Sequence, residues 1–166
     1  MRNITIIALC VVVLGIGIAE VSRTSPTAWA VEPDEPERTE TVLQSTATVR
    51  YALTAAERDT VERVVMAEAG AEPYEGQIAV AQCILNACEL EDMRPDEIVI
   101  EYQYTDKRPE PTDEVKAAVS AVFDCGETAT DAEILYFYAP ALVKSEWHES
   151  QEYVMTVGGH RFFEEG

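Results

Sequence analysis

A helix-dominated α+β fold with a short C-terminal antiparallel sheet is what this 166-residue sequence predicts, on three observations. A capping box at Thr54 to Glu57 opens an amphipathic run. The stretch from Ile78 to Ala87 is apolar on nearly every side, the pattern of a helix buried at the centre of a domain. Short aromatic and β-branched runs then follow Gly126, the last two split by Gly158-Gly159. With 47% hydrophobic residues the chain can bury a core of ordinary size.

The N-terminus precedes that domain. Arg2 gives a positive start, and Ile4 to Ala19 is uncharged and apolar, short for a membrane span but long enough for a secretory segment. Ala28-Trp29-Ala30 fits a small-x-small cleavage site. Residues 1–30 are therefore expected to be a signal peptide or an uncleaved N-terminal anchor, with the protein working outside the cytoplasmic membrane, secreted or anchored. Residues 31–49, rich in Pro, Glu and Thr and without periodicity, read as an acidic flexible tether. The folded domain is expected over 50–166.

Within it, the first helix should start after Thr54, whose hydroxyl and the Glu57 carboxylate each satisfy a free backbone N–H, and stop at Gly70. The second should begin between Pro73 and Glu75 and reach about Cys88; Gln82 and Asn86 form its one polar stripe. Pro95, Pro109 and Pro111 make 89–111 mostly loop, with a short turn over 95–100. A third helix opens at Thr112, with acids in its first turn, and ends at Gly126. Two short strands are expected, at 135–139 and 153–157, the second followed by Gly158-Gly159 and then His160 to Phe163.

Glu68 is the residue with a specific physical signature. On a wheel of 100° per residue it falls about 20° from Val61 and between Val64 and Val65, in the middle of the core-facing stripe. It also sits at the negative end of its helix. Both circumstances favour a protonated carboxyl, the form a general acid needs.

The formal charge of −19 excludes nucleic-acid binding and docking on anionic lipid, since a field of that sign repels phosphate polymers. Of the cysteines beyond Cys10, Cys83 and Cys88 stand about 140° apart on one helix and do not pair with each other. Cys125 could pair with either, or all three could be buried thiols. His148, Glu149, Glu152 and His160 lack fixed ligand spacing, so no metal and no cofactor are expected.

The run from Val64 to Ala81, with Glu68-Ala69-Gly70-Ala71-Glu72-Pro73 at its heart and Ile84-Leu85-Asn86 closing it, resembles the signature of the SleB/CwlJ-type spore cortex-lytic and cell-wall hydrolases. Tyr102-Gln103-Tyr104, Leu135-Tyr136-Phe137, Trp147 and Val157-Gly158-Gly159-His160-Arg161-Phe162-Phe163 are similar to that family's later motifs. The resemblance spans about residues 51–163 and implies a small lysozyme-like fold and cleavage of peptidoglycan between muramic acid and N-acetylglucosamine. It implies that Glu68 is catalytic, serving a lytic transglycosylase as acid and then as base; Glu72, Gln82, Asn86, Gln103, Tyr104, Tyr136, Trp147 and His160 are the candidate substrate contacts. Peptidoglycan is the implied partner of a monomer that touches membrane only through its N-terminal segment. Spore cortex, vegetative wall and phage-host wall remain open as substrates. The alternatives are a water-using muramidase with Glu72 or Glu75 as second carboxylate, and a catalytically silent wall-binding protein of the same fold. Ala87 departs from the family, which has a basic residue there.

Overall fold

The computed structural model describes residues 51–166; the expected leader at 1–30 and tether at 31–49 lie outside the described residues. The first helix, α1 (Ala55–Ala69), carries the capping box: the Thr54 hydroxyl accepts from Glu57 N, and Glu57 accepts from Thr54 N at 2.8 Å. Arg94 reinforces this end by pairing with Glu57 at 2.5 Å, and its hydrogen bonds hold that carboxyl down at about 2. Val61, Val64, Val65, Glu68 and Ala69 are the buried stripe of α1.

Against that stripe lies α2 (Tyr74–Glu91), in which every residue from Gly76 to Cys88 is buried. Each fully buried Val, Ile or Leu here contributes about 1.5–3 kcal/mol relative to exposure. The helix runs one turn past the expected Cys88, because Glu89, Leu90 and Glu91 are good helix formers even where nothing covers them. Asp92 stops it in the left-handed conformation (φ 53°), its N–H donating to Cys88 O.

The expected turn at 95–100 is a full helix, α3 (Pro95–Glu101), with Pro95 at its first position and Glu97 closing a box on Arg94. Next, α4 (Asp113–Phe123) is capped by Thr112 and buries Val115, Ala118, Val119, Val122 and Phe123 against α2. It ends at Phe123, short of Gly126, which takes up the turn with φ 71°. Cys83 and Cys88 are buried free thiols, pushed upward by desolvation, Cys88 to about 12. Cys125 is exposed and free. Neither disulfide is formed, and the thiols are not all buried.

The sheet comes from β1 (Tyr136–Tyr138), β2 (Glu152–Val157) and β3 (His160–Glu164), antiparallel in the order β1-β3-β2. The four-residue α5 (Glu146–Glu149), capped by Ser145, was not anticipated from sequence. Phe137 is opposite Phe162, and Met155 and Val157 pair with Phe162 and His160; alternation places these together on one face. Tyr136, Tyr138, Arg161 and Phe163 occupy the other face, where Trp147 and His148 of α5 pack. Among the described residues no helix is long and apolar enough to cross a membrane.

Candidate active site

The last turn of α1 delivers Glu68 to the edge of the core, 6% exposed. Its Oε1 accepts a 2.7 Å hydrogen bond from the backbone N–H of Thr105. That N–H is presented by the segment after α3. Gln103 is exposed there with φ 54°, turning the chain, and Tyr104 N donates to Val99 O. A backbone donor on one oxygen fixes the orientation of the carboxyl, and a buried carboxyl so oriented suits proton transfer.

Around Glu68 the fold gathers residues distant in sequence. Tyr104 packs on Phe137 with ring centroids 5.9 Å apart, and Phe137 meets the His160 ring edge-on at 5.4 Å. The Tyr104 hydroxyl oxygen is buried; desolvation pushes it well above its ordinary value, and the Glu68 charge adds to the effect. His160 Nδ1 lies 3.3 Å from Glu72 Oε1, close enough for attraction but off the line of a good hydrogen bond. Burial pulls His160 below its ordinary value, overcoming the opposing charges of Glu72 and Glu68.

Glu72 is committed to the fold. Its Oε2 accepts 2.7 Å from Gly159 N, tying the α1–α2 loop to the β2–β3 turn. Gly158 has φ 56°, and a Cβ built there would collide with Glu72 Oε2 and crowd Pro73, so a side chain at this turn would strain the backbone and push Glu72 aside. Gln77, fully buried, holds the loop from below: its Nε2 donates to Glu72 O at 3.1 Å and to Glu114 Oε2 at 3.2 Å.

The structure thus brings Glu68, Glu72, Tyr104 and His160 together, with Gln103 at the turn leading in. Four other expected contacts are elsewhere. Gln82 is saturated by the loop after α4: its Nε2 donates to Thr130 O and Ala132 O, and its Oε1 accepts from Ala129 N at 2.8 Å. Asn86 donates to Ile134 O at 2.9 Å. The polar stripe of α2 is therefore a brace for residues 129–134, because a buried helix must hydrogen-bond whatever loop crosses it. Tyr136 stacks on Tyr102 and meets Trp147 edge-on at 4.9 Å, on the sheet face opposite Phe137. Neither of the two aromatics joins the Glu68 cluster.

Thr105, Phe137 and Gln77 were missed by sequence reasoning. Thr105 acts through its backbone, which leaves no signal in residue type. The alternation Tyr136-Phe137-Tyr138 says only that Phe137 opposes its neighbours. The four residues of the metal alternative are engaged separately. His148 Nδ1 lies 2.6 Å from Ser145 Oγ, Glu149 binds Tyr138 and Arg161, and His160 faces Glu72, while Glu152 is exposed on β2.

Residues 71–163 match the family described as Cell Wall Hydrolase. No curated protein matches the sequence. Two solved structures share the fold. One is the catalytic domain of the germination-specific lytic transglycosylase SleB from Bacillus anthracis, with 23% identity and a TM-score of 0.56, covering 68% of this chain and 98% of that one. The other is the catalytic domain of Bacillus cereus SleB, with 21% identity and a TM-score of 0.57, covering 72% and 99%.

Proposed function

The chain belongs to the cell wall hydrolase family, and on that premise we propose that it cuts peptidoglycan strands as a lytic transglycosylase with Glu68 as its one acid and base. Membership makes it a peptidoglycan-cleaving enzyme. The finer reading rests on a single observation: one carboxyl, buried and oriented by the Thr105 N–H, faces the cluster of Tyr104, Phe137 and His160. Glu68 stands three residues before the segment that matches the family, so its role is supported by this geometry and by the motif around it.

The protonated carboxyl gives its proton to the glycosidic oxygen as the bond to the muramyl C1 breaks, and the positive charge that develops on the sugar is met by the new carboxylate. That carboxylate then takes the proton of the muramyl 6-hydroxyl as its oxygen closes on C1, restoring the acid and leaving a 1,6-anhydro end. No water is consumed and no second carboxylate is needed. The water-using alternative would recruit Glu72 or Glu75; Glu72 Oε2 is held by Gly159 N and its Oε1 lies beside His160, while Glu75 is exposed in the first turn of α2. A strand-binding role for Gln103, Tyr104 and His160 belongs to the same reading, as do the export leader at 1–30, the tether at 31–49 and action as a monomer.

Glu68→Gln keeps size and hydrogen bonding and should lower muropeptide release by about 10²–10⁴-fold with an unchanged circular dichroism spectrum. An active variant would overturn the assignment. Mass spectrometry of wild-type products should find anhydromuramyl ends; reducing ends would replace the transglycosylase with a hydrolase. The B. anthracis relative is described as germination-specific, so cortex belongs beside vegetative wall in that digest.

A further inference from the structure

The chain carries 12 basic against 31 acidic residues, so each cation that is not spent on a neighbouring carboxylate is conspicuous. Four of the five arginines among the described residues are spent in that way. Arg58 pairs with Asp124, Arg63 with Asp59 and Glu110, Arg94 with Glu57, and Arg161 with Glu149. Arg108 differs. Its Nη1 donates to two backbone carbonyls, Thr105 O at 2.5 Å and Lys107 O at 2.8 Å. Carbonyls orient a guanidinium without cancelling its charge. The Nε and Nη2 donors are left for a planar anion, in the fork that matches a carboxylate.

Its position makes the charge pointed. The residue whose carbonyl holds Arg108 is the same Thr105 whose N–H holds Glu68. The segment is braced from α1: Arg63 Nη1 donates to Arg108 O and Pro109 O, its Nη2 reaches Glu110 at 2.9 Å, and Lys107 N donates to Thr105 Oγ1. Asp106 on the same loop is exposed and of opposite sign, but makes no ion pair with Arg108. An exposed cation is thus held by the same residue that orients the Glu68 carboxyl, in a molecule whose overall field repels anions.

We propose that Arg108 binds a carboxylate of the peptide stem carried by the sugar that Glu68 attacks. The proposal rests on the reading of the protein as a peptidoglycan glycosidase. In that substrate the bond broken is at the muramyl C1, and the same muramyl ring bears, through its 3-oxygen, a lactyl group and an acidic peptide. The branch therefore leaves the sugar close to the acid. Arg108, with Lys107 beside it, is exposed on the segment that holds Glu68 and is of the sign that attracts such a branch.

The test uses the full chain and two forms of one substrate: peptidoglycan strands with native stem peptides, and the same strands after carbodiimide-driven amidation of their carboxyls. Arg108→Gln should raise KM on native strands about three- to tenfold, the range of one charge-assisted contact at an exposed site, and leave kcat within about twofold. Arg108→Lys should recover part of the loss. On amidated strands wild type and Arg108→Gln should have equal KM. A loss of the same size on both strands would mean that Arg108 acts through Glu68 and would overturn the proposal, as would an unchanged KM on native strands. Wild-type protein that cleaves neither strand would overturn the glycosidase reading itself. Cleavage of both with no contrast between them would overturn only the carboxylate contact.

Discussion

Both histidines of the chain are buried, His148 2% and His160 6% exposed, and for each the loss of hydration outweighs the pull of nearby carboxylates. Glu149 acts on His148, and Glu72 with Glu68 on His160. Both imidazoles are held below the ordinary value of 6.5. The unfolded chain consequently binds protons that the folded chain refuses as acidity increases. Their contribution to stability is complete above 6.5 and is lost as pH falls from there toward the depressed folded values. Thermal melts between pH 7 and 5 should show wild type losing stability relative to a His148→Gln/His160→Gln variant. Parallel curves for the two proteins would refute this. Glu68 illustrates how much a single residue discloses. The helix wheel placed it on the core face, and there it lies. Its partner Thr105 had no such signature, since a backbone N–H is common to every residue but proline.

Among the elements, the β2–β3 hairpin is the one most dependent on a particular residue. Gly158→Ala puts a side chain at a positive φ and drives it into Glu72 Oε2. Urea unfolding should show a loss of about 1–3 kcal/mol, from backbone strain together with the broken clamp. An unchanged midpoint would show that the loop from 70 to 73 moves aside freely. Legibility at this scale followed the strength of local signals. The capping box fixed the start of α1, and Thr112 the start of α4, because each cap is written in adjacent side chains. The sheet followed from alternation around two glycines. The α3 helix was read as loop because three prolines and mixed charge obscured a proline that in fact sits at a helix start. The α5 helix has four residues and too little periodicity to detect. Gln82 and Asn86 show the ambiguity of polar groups on a buried helix. The same pattern serves a ligand or a crossing loop, and only tertiary structure distinguishes them.

For the molecule as a whole, −19 is a large charge on 166 residues. Acidic groups repel one another across the surface, and they repel an anionic wall polymer as it approaches. Raising the salt from about 20 to about 200 mM shortens the screening length to below about 10 Å and should raise both the melting temperature and the rate on whole peptidoglycan. A rate that falls steadily with salt would point instead to a dominant attractive patch. The extracytoplasmic setting of the substrate and the expected leader are consistent with each other, the one following from the family and the other from residues 1–30.

The bond from Gly159 to Glu72 spans 87 positions, and so it also orders events in time. A chain made from its N-terminus presents Glu68 early, on a helix that precedes the hairpin in sequence. The Gly158-Gly159 turn and His160 follow only after that stretch has been made. A chain cut short before them holds the acid without the clamp or the histidine beside it. If Glu68 is the acid proposed above, lytic competence is thereby deferred until the hairpin that carries Gly159 has been made.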